Sequence, residues 1–142
     1  MNDKSISPML EFSDQPRSQA QTEFTDILKE LVEGRSNAFG AFFFDSEGET
    51  VDYYSSIEEY QLKVAAAHLE IVARFSSEAH LKLFGCEHGE IAFNASSIEF
   101  RAICLGQGYH LGLITRSDKT SQVRLKTALA RLIPEIKKAA GL

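Results

Sequence analysis

Apolar residues at Phe24, Ile27, Leu28, Leu31 and Val32 recur at helical spacing and stop at Gly34, which predicts a first amphipathic helix. Ser18 and Gln21 have the spacing of a capping box and place its start near Ser18. The run Ala38 to Phe44 is apolar on both alternating faces, as a central strand covered on both sides requires. Asp45-Ser46-Glu47-Gly48 has turn chemistry, and Thr50 to Tyr54 continues as a more polar, exposed second strand of a hairpin. From Glu58 to Phe84 neither proline nor glycine interrupts a helical pattern, and Gly85 supplies the stop. Glu90–Ala95, Ile98–Leu105 and Tyr109–Thr115 read as a three-stranded antiparallel meander joined at Ser96-Ser97 and Gly106-Gln107-Gly108. Val123, Leu125, Leu129, Leu132, Ile133 and Ile136 mark a last helix that opens near Thr120 and is expected to kink or restart at Pro134.

The long helix is apolar over more of its circumference than one sheet can cover. Placed at 100° steps, Leu62, Ala66, Leu69 and Ala73 form one flank, and Val64, Ile71, Val72, Phe75 and Ala79 form another. A second partner is expected on this helix. We assign Leu62, Ala66, Leu69 and Ala73 to a dimer seam. The remaining sector, Lys63, Glu70, Arg74 and Ser77, is wholly polar, with Glu70 and Arg74 at ion-pair spacing. The strand over Glu90–Ala95 carries no proline, lysine or glycine to blunt a free edge, so Ile91 and Phe93 join the expected interface.

The chain has 142 residues, 44% hydrophobic and 25% charged, enough for one globular domain. The first 17 residues show no period and read as a flexible tail, in which Ile6, Met9, Leu10 and Phe12 form a possible docking segment. Residues 18–142 form the domain. No run of eighteen apolar residues and no basic-then-apolar leader is present, so neither membrane insertion nor secretion is expected, and a cytoplasmic location is. Cys86 and Cys104 are expected as reduced thiols. The net charge of −5 argues against nucleic acid as a partner. It conceals an asymmetry: Met1 to Thr115 holds 8 basic against 18 acidic residues, and Arg116 onward 7 against 2.

The order helix, two strands, long helix, three strands, helix resembles the roadblock/dynein-light-chain family, in particular its small bacterial MglB-type and MglC-type members. The resemblance runs from about Phe24 to Ile136. It is carried by Ala38 through Gly48, by Tyr109-His110-Leu111-Gly112-Leu113-Ile114, and by the helix opening Ser121-Gln122-Val123-Arg124-Leu125. It implies an α/β sandwich: a five-stranded antiparallel sheet with the long helix on one face and the two terminal helices on the other. It implies homodimers, or pairs with another roadblock protein, joined through their third strands and long helices. It also implies a non-enzymatic module that regulates or scaffolds a small Ras-like GTPase, in bacterial polarity or motility, with the polar sector Lys63, Glu70, Arg74 and Ser77 of the paired long helices as the docking platform. The alternative is an adaptor that pairs with a roadblock or signalling protein and never touches a GTPase.

Other chemistry is sparse. No phosphate-binding loop exists, and Gly106-Gln107-Gly108 lacks a strand-to-helix context. Cys86-Glu87-His88 with Cys104 or His110 lacks paired zinc-ligand spacing. Cys104 and His110 face across a hairpin with no residue placed to orient them for catalysis, and Asp45, Glu47 and Glu49 form a turn rather than a calcium loop. No cofactor, metal or catalytic residue is therefore assigned. His68 and His80 on the long helix are ordinary histidines unless a seam buries them. Arg35, Arg74, Arg101 and Arg116 are candidates for insertion into a GTPase site only by expected exposure. Phe39, Phe42, Phe43 and Phe44 read as core rather than as the lining of a ligand pocket.

Overall fold

The structure is a computed structural model that describes residues 11–18, 21–85 and 89–142. Strand β1 (Phe12–Ser18) is followed by α1 (Thr25–Glu33), the hairpin β2 (Gly40–Phe44) and β3 (Thr50–Ile57), and the long helix α2 (Glu59–Phe84). The meander β4 (Glu90–Ala95), β5 (Ile98–Gly106) and β6 (Tyr109–Arg116) leads into α3 (Lys119–Ala140). All pairings are antiparallel, in the order β1-β3-β2-β6-β5-β4. The five expected strands are therefore present, with β1 added outside β3.

β2 lies in the middle because its residues are apolar on both faces. Ala41 and Phe43 pack with α1 and α3 around Leu28, Leu31, Leu125, Leu129 and Leu132. Phe42 and Phe44 pack on the other side with Leu62, Ala66, Leu69 and Ala73 of α2. The long helix thus covers one face and the two other helices the opposite one. Phe39, Phe42, Phe43 and Phe44 are core, as expected, all four being buried. Phe42 pairs with Gly112 of β6, and a Cβ there would overlap the Phe42 ring. Only glycine lets that ring lie flat across the neighbouring strand.

The β2–β3 turn is closed by Asp45, whose Oδ1 accepts from the backbone N–H groups of Glu47 and Glu49 at 2.9 Å. Gly48 takes φ +85°, as the turn chemistry predicts. α2 keeps its expected limits. The Glu58 carboxylate accepts from the N–H groups of Tyr60 and Gln61, which holds it below the ordinary glutamate range, and Gly85 ends the helix at φ +72°.

Several expectations are corrected. Ser18 lies in β1, and α1 begins seven residues later, at Thr25. The hydroxyls of Thr22 and Thr25 donate to Asp52 Oδ2 at 3.0 and 2.6 Å, so a buried carboxylate on β3 anchors the helix start. Within the expected tail, Phe12 opens β1 and its ring sits 5.2 Å from that of Phe39, while Ile6, Met9 and Leu10 lie outside the described residues. With β1 beside it, β3 is no exposed strand: Asp52, Tyr53, Ser55 and Ile57 are buried. α3 runs through Pro134 without a break. Pro134 faces solvent, where the Ala130 carbonyl that loses its partner can be hydrated. The helix begins behind Asp118, which accepts from the Ser121 N–H and hydroxyl and is held below the ordinary aspartate range by those bonds.

Candidate functional site

α2 meets its own sheet along Leu62, Ala66, Leu69 and Ala73, all 5% exposed or less. The expected dimer seam through these four residues is therefore corrected: they form the intramolecular core. The apolar flank that remains open is the other one. Val64 is 40% exposed, Ile71 51%, Val72 37% and Phe75 67%, in line with Tyr60 above them.

This stripe continues onto the sheet. β4 is an edge strand, paired on one side with β5. Phe93 on β4 is 43% exposed and stacks on Phe100 of β5 with ring centroids 5.2 Å apart, while Ile91 is half-buried on the same face. Between the stripe and the edge lies an apolar groove of about 430 Å³, lined among others by Tyr60, Val64, His68, Val72, Phe93 and Phe100. Of the six expected interface residues, Phe93 and the buried Leu69 line this groove, and Ile91 lies beside Phe93 on the same face of β4.

The expected docking platform divides. Lys63 is exposed and pairs with Glu59 at 3.2 Å. Arg74 is half exposed with Nε 3.3 Å from Glu70 Oε1. Glu70 and Ser77, however, turn inward, which corrects their place in a solvent-facing sector. Glu70 is buried under the β2–β3 turn, where Gly48 lies against its carboxylate. The Ser77 hydroxyl is 3.0 Å from Nε2 of buried His110. Ser77 thereby ties α2 to β6, whereas the charge partner of Glu70 is Arg74 of its own helix.

The arginines also divide. Arg101 is buried beneath the start of α3, gripping Glu99 (Nε 2.9 Å) and Glu90, with Gln122 Oε1 at 2.9 Å. Burial pushes the Glu99 carboxyl up, partly offset by Lys126, and pushes the Arg101 guanidinium down. Arg101 has no reach to a partner. Arg116 lies over the Phe39 ring at 4.6 Å, and Arg35 is exposed. His68 and His80 each bring Nδ1 against the carbonyl four residues back in α2, at 2.8 and 3.0 Å.

Cys104 is a half-buried free thiol whose cross-strand partner is His110. The side chain of His110 points to Ser77. Cys86, Glu87 and His88 lie outside the described residues. Among the described residues no group of three or more His, Cys, Asp or Glu side chains is arranged to hold a metal, and no helix is long and apolar enough to cross a membrane.

No family model matches the sequence, and no curated protein is recognisably similar to it. Solved structures are. A roadblock/LC7 domain from Streptomyces avermitilis superposes with a TM-score of 0.70 at 13% identity, over 85% of this chain and all of the other. MglB of Myxococcus xanthus gives 0.56 at 21% identity, over 85% of this chain and 95% of its own. The gliding protein MglB of Thermus thermophilus gives 0.55 at 20% identity, over 78% and 88%. At such low identity it is backbone geometry that the chains share, and this chain has the roadblock/LC7 fold.

Proposed function

We propose that the chain is a non-enzymatic binding module that dimerises through the outer flank of α2 and the β4 edge, and that the dimer regulates or scaffolds a small Ras-like GTPase. The observation that carries the dimer is the continuity of an open apolar stripe (Val64, Ile71, Val72, Phe75) with an unguarded strand edge bearing Phe93. Each such aliphatic or aromatic side chain gains about 1.5–3 kcal/mol on full burial, so several together favour association strongly. A β4 strand from a second copy would extend the sheet while its α2 covers the stripe. The GTPase comes from the resemblance to the roadblock family, and the likeness in fold to MglB, one example of which is named a gliding protein, supports a role in motility or polarity.

Light scattering tests the first part. The wild type is expected as a dimer and a Phe75→Glu, Phe93→Glu variant as a folded monomer; a monomeric wild type overturns it. The second part is tested with a Ras-like GTPase from the same source, immobilised with GDP or with a non-hydrolysable GTP analogue. Retention that depends on the nucleotide, together with a changed rate of hydrolysis or exchange, is the expected result. A dimer that is retained by neither form sinks the GTPase reading, and a stoichiometric roadblock partner with no effect on turnover points to the adaptor instead.

A further inference from the structure

The face of the sheet opposite α2 carries a second surface, of different chemistry. Where the C-terminal end of α1 meets the first half of α3, a groove of about 830 Å³ opens, lined among others by Glu30, Arg35, Val123, Arg124, Ala128 and Arg131. Three guanidiniums and one carboxylate line it, in a molecule whose net charge is −5. Arg131 shows how such a surface seats a carboxylate. Both its terminal nitrogens reach Glu30, one at 3.3 Å, and this hold keeps the Glu30 carboxyl below the ordinary glutamate range. Arg35 and Arg124 are exposed and make no ion pair among the described residues. Beside them Val123, on the first turns of α3, is 56% exposed.

We propose that this groove docks an acidic segment of a protein partner, one in which carboxylates alternate with apolar side chains. Arg35 and Arg124 receive the carboxylates, and Val123 and Ala128 meet the apolar residues. The lining favours this occupant: three guanidiniums stand against one carboxylate, and the exposed Val123 beside them offers apolar surface that a bare phosphate ligand would leave uncovered. A phosphate-rich ligand fits less well. Glu30 lies in the lining, and the α1 terminus nearby is the carbonyl end of a helix, which disfavours dense negative charge. The groove lies across the sheet from α2 and β4, so it stays open whether or not two copies pair there.

The test uses the full chain and a labelled peptide of about twelve residues, glutamates alternating with leucines, followed by fluorescence polarisation. Two controls replace the glutamates by lysine or the leucines by serine. The acidic apolar peptide is expected to bind with a salt-sensitive affinity, and both controls more weakly. Arg35→Glu with Arg124→Glu is expected to weaken binding about tenfold or more, as loss of the two exposed charge pairs and their replacement by repulsion implies. Both residues are on the surface, and an unchanged circular dichroism melt separates this loss from unfolding. Perturbation of the backbone amides of Val123, Arg124 and Thr127 on titration places the peptide in the groove. No binding, equal binding of the lysine peptide, indifference to the double variant, or displacement by inorganic phosphate or a short oligonucleotide would each overturn the proposal.

Discussion

Two positions show how far a single side chain governs this fold. At Gly112 the constraint is contact rather than backbone angle, because the Phe42 ring occupies the place of a Cβ in the packed layer under α2. Gly112→Ala is therefore expected to cost about 1–3 kcal/mol, read as a lower midpoint in urea denaturation. At Arg101 the constraint is charge. With the guanidinium gone, Glu99 is left buried without its counter-ion, at an expected cost of about 3–5 kcal/mol for Arg101→Ala near neutral pH. The pH dependence has a definite sign. Burial raises the Glu99 carboxyl, so its charged form weighs against folding above its folded pKa and ceases to do so as acid protonates it. The deficit of the variant should accordingly shrink as pH falls from above the ordinary glutamate range down to it; a deficit that grows on acidification would contradict this account. Neither residue stands out in the sequence, where Gly112 is one glycine of a strand and Arg101 one of fifteen basic residues.

At the scale of elements, α2 is the most informative. Its limits, its stop at Gly85 and its two apolar flanks are all legible from periodicity, because an uninterrupted helix maps sequence onto angle. Which flank meets the sheet is not legible. Both are apolar, and the choice depends on how β3 delivers the chain into the helix and where β5 and β6 lie beneath it. The consequence is testable by exchanging the site of one charge. Leu69→Glu buries a carboxylate in the core and is expected to abolish cooperative folding, whereas Phe75→Glu on the open flank should retain the wild-type thermal transition at its monomer value and lose only association. Equal effects of the two would contradict the assignment of faces. β1 was illegible for another reason. It is a polar edge strand whose pairing with β3 shifts register between Phe12 and Arg17, and such a strand shows no alternation to read.

Considered as a whole, the molecule separates two kinds of surface by its sheet. One face offers the apolar stripe of α2 with the β4 edge; the other offers the arginine-lined groove between α1 and α3. Surfaces so placed share no side chains, so their variants should act independently. Phe75→Glu is expected to leave peptide affinity per chain unchanged, and the Arg35 and Arg124 reversals to leave the oligomeric state unchanged in light scattering. Covariation of the two readouts would mean that the surfaces are coupled.

Periodicity and turn chemistry along the chain suffice for the order and type of eight elements, the both-sided burial of β2, the turn at Gly48 and the excess of apolar surface on α2. These are properties of local periodicity and of backbone angles that few residues tolerate. Tertiary structure alone decided which flank of α2 is core, that Glu70, Ser77 and Arg101 turn inward, and that Arg35, Arg124 and Arg131 converge although nearly a hundred residues separate the first from the other two. Such facts depend on which elements pack together. A polar side chain carries the same sequence signal whether it faces water or the neighbour that neutralises it.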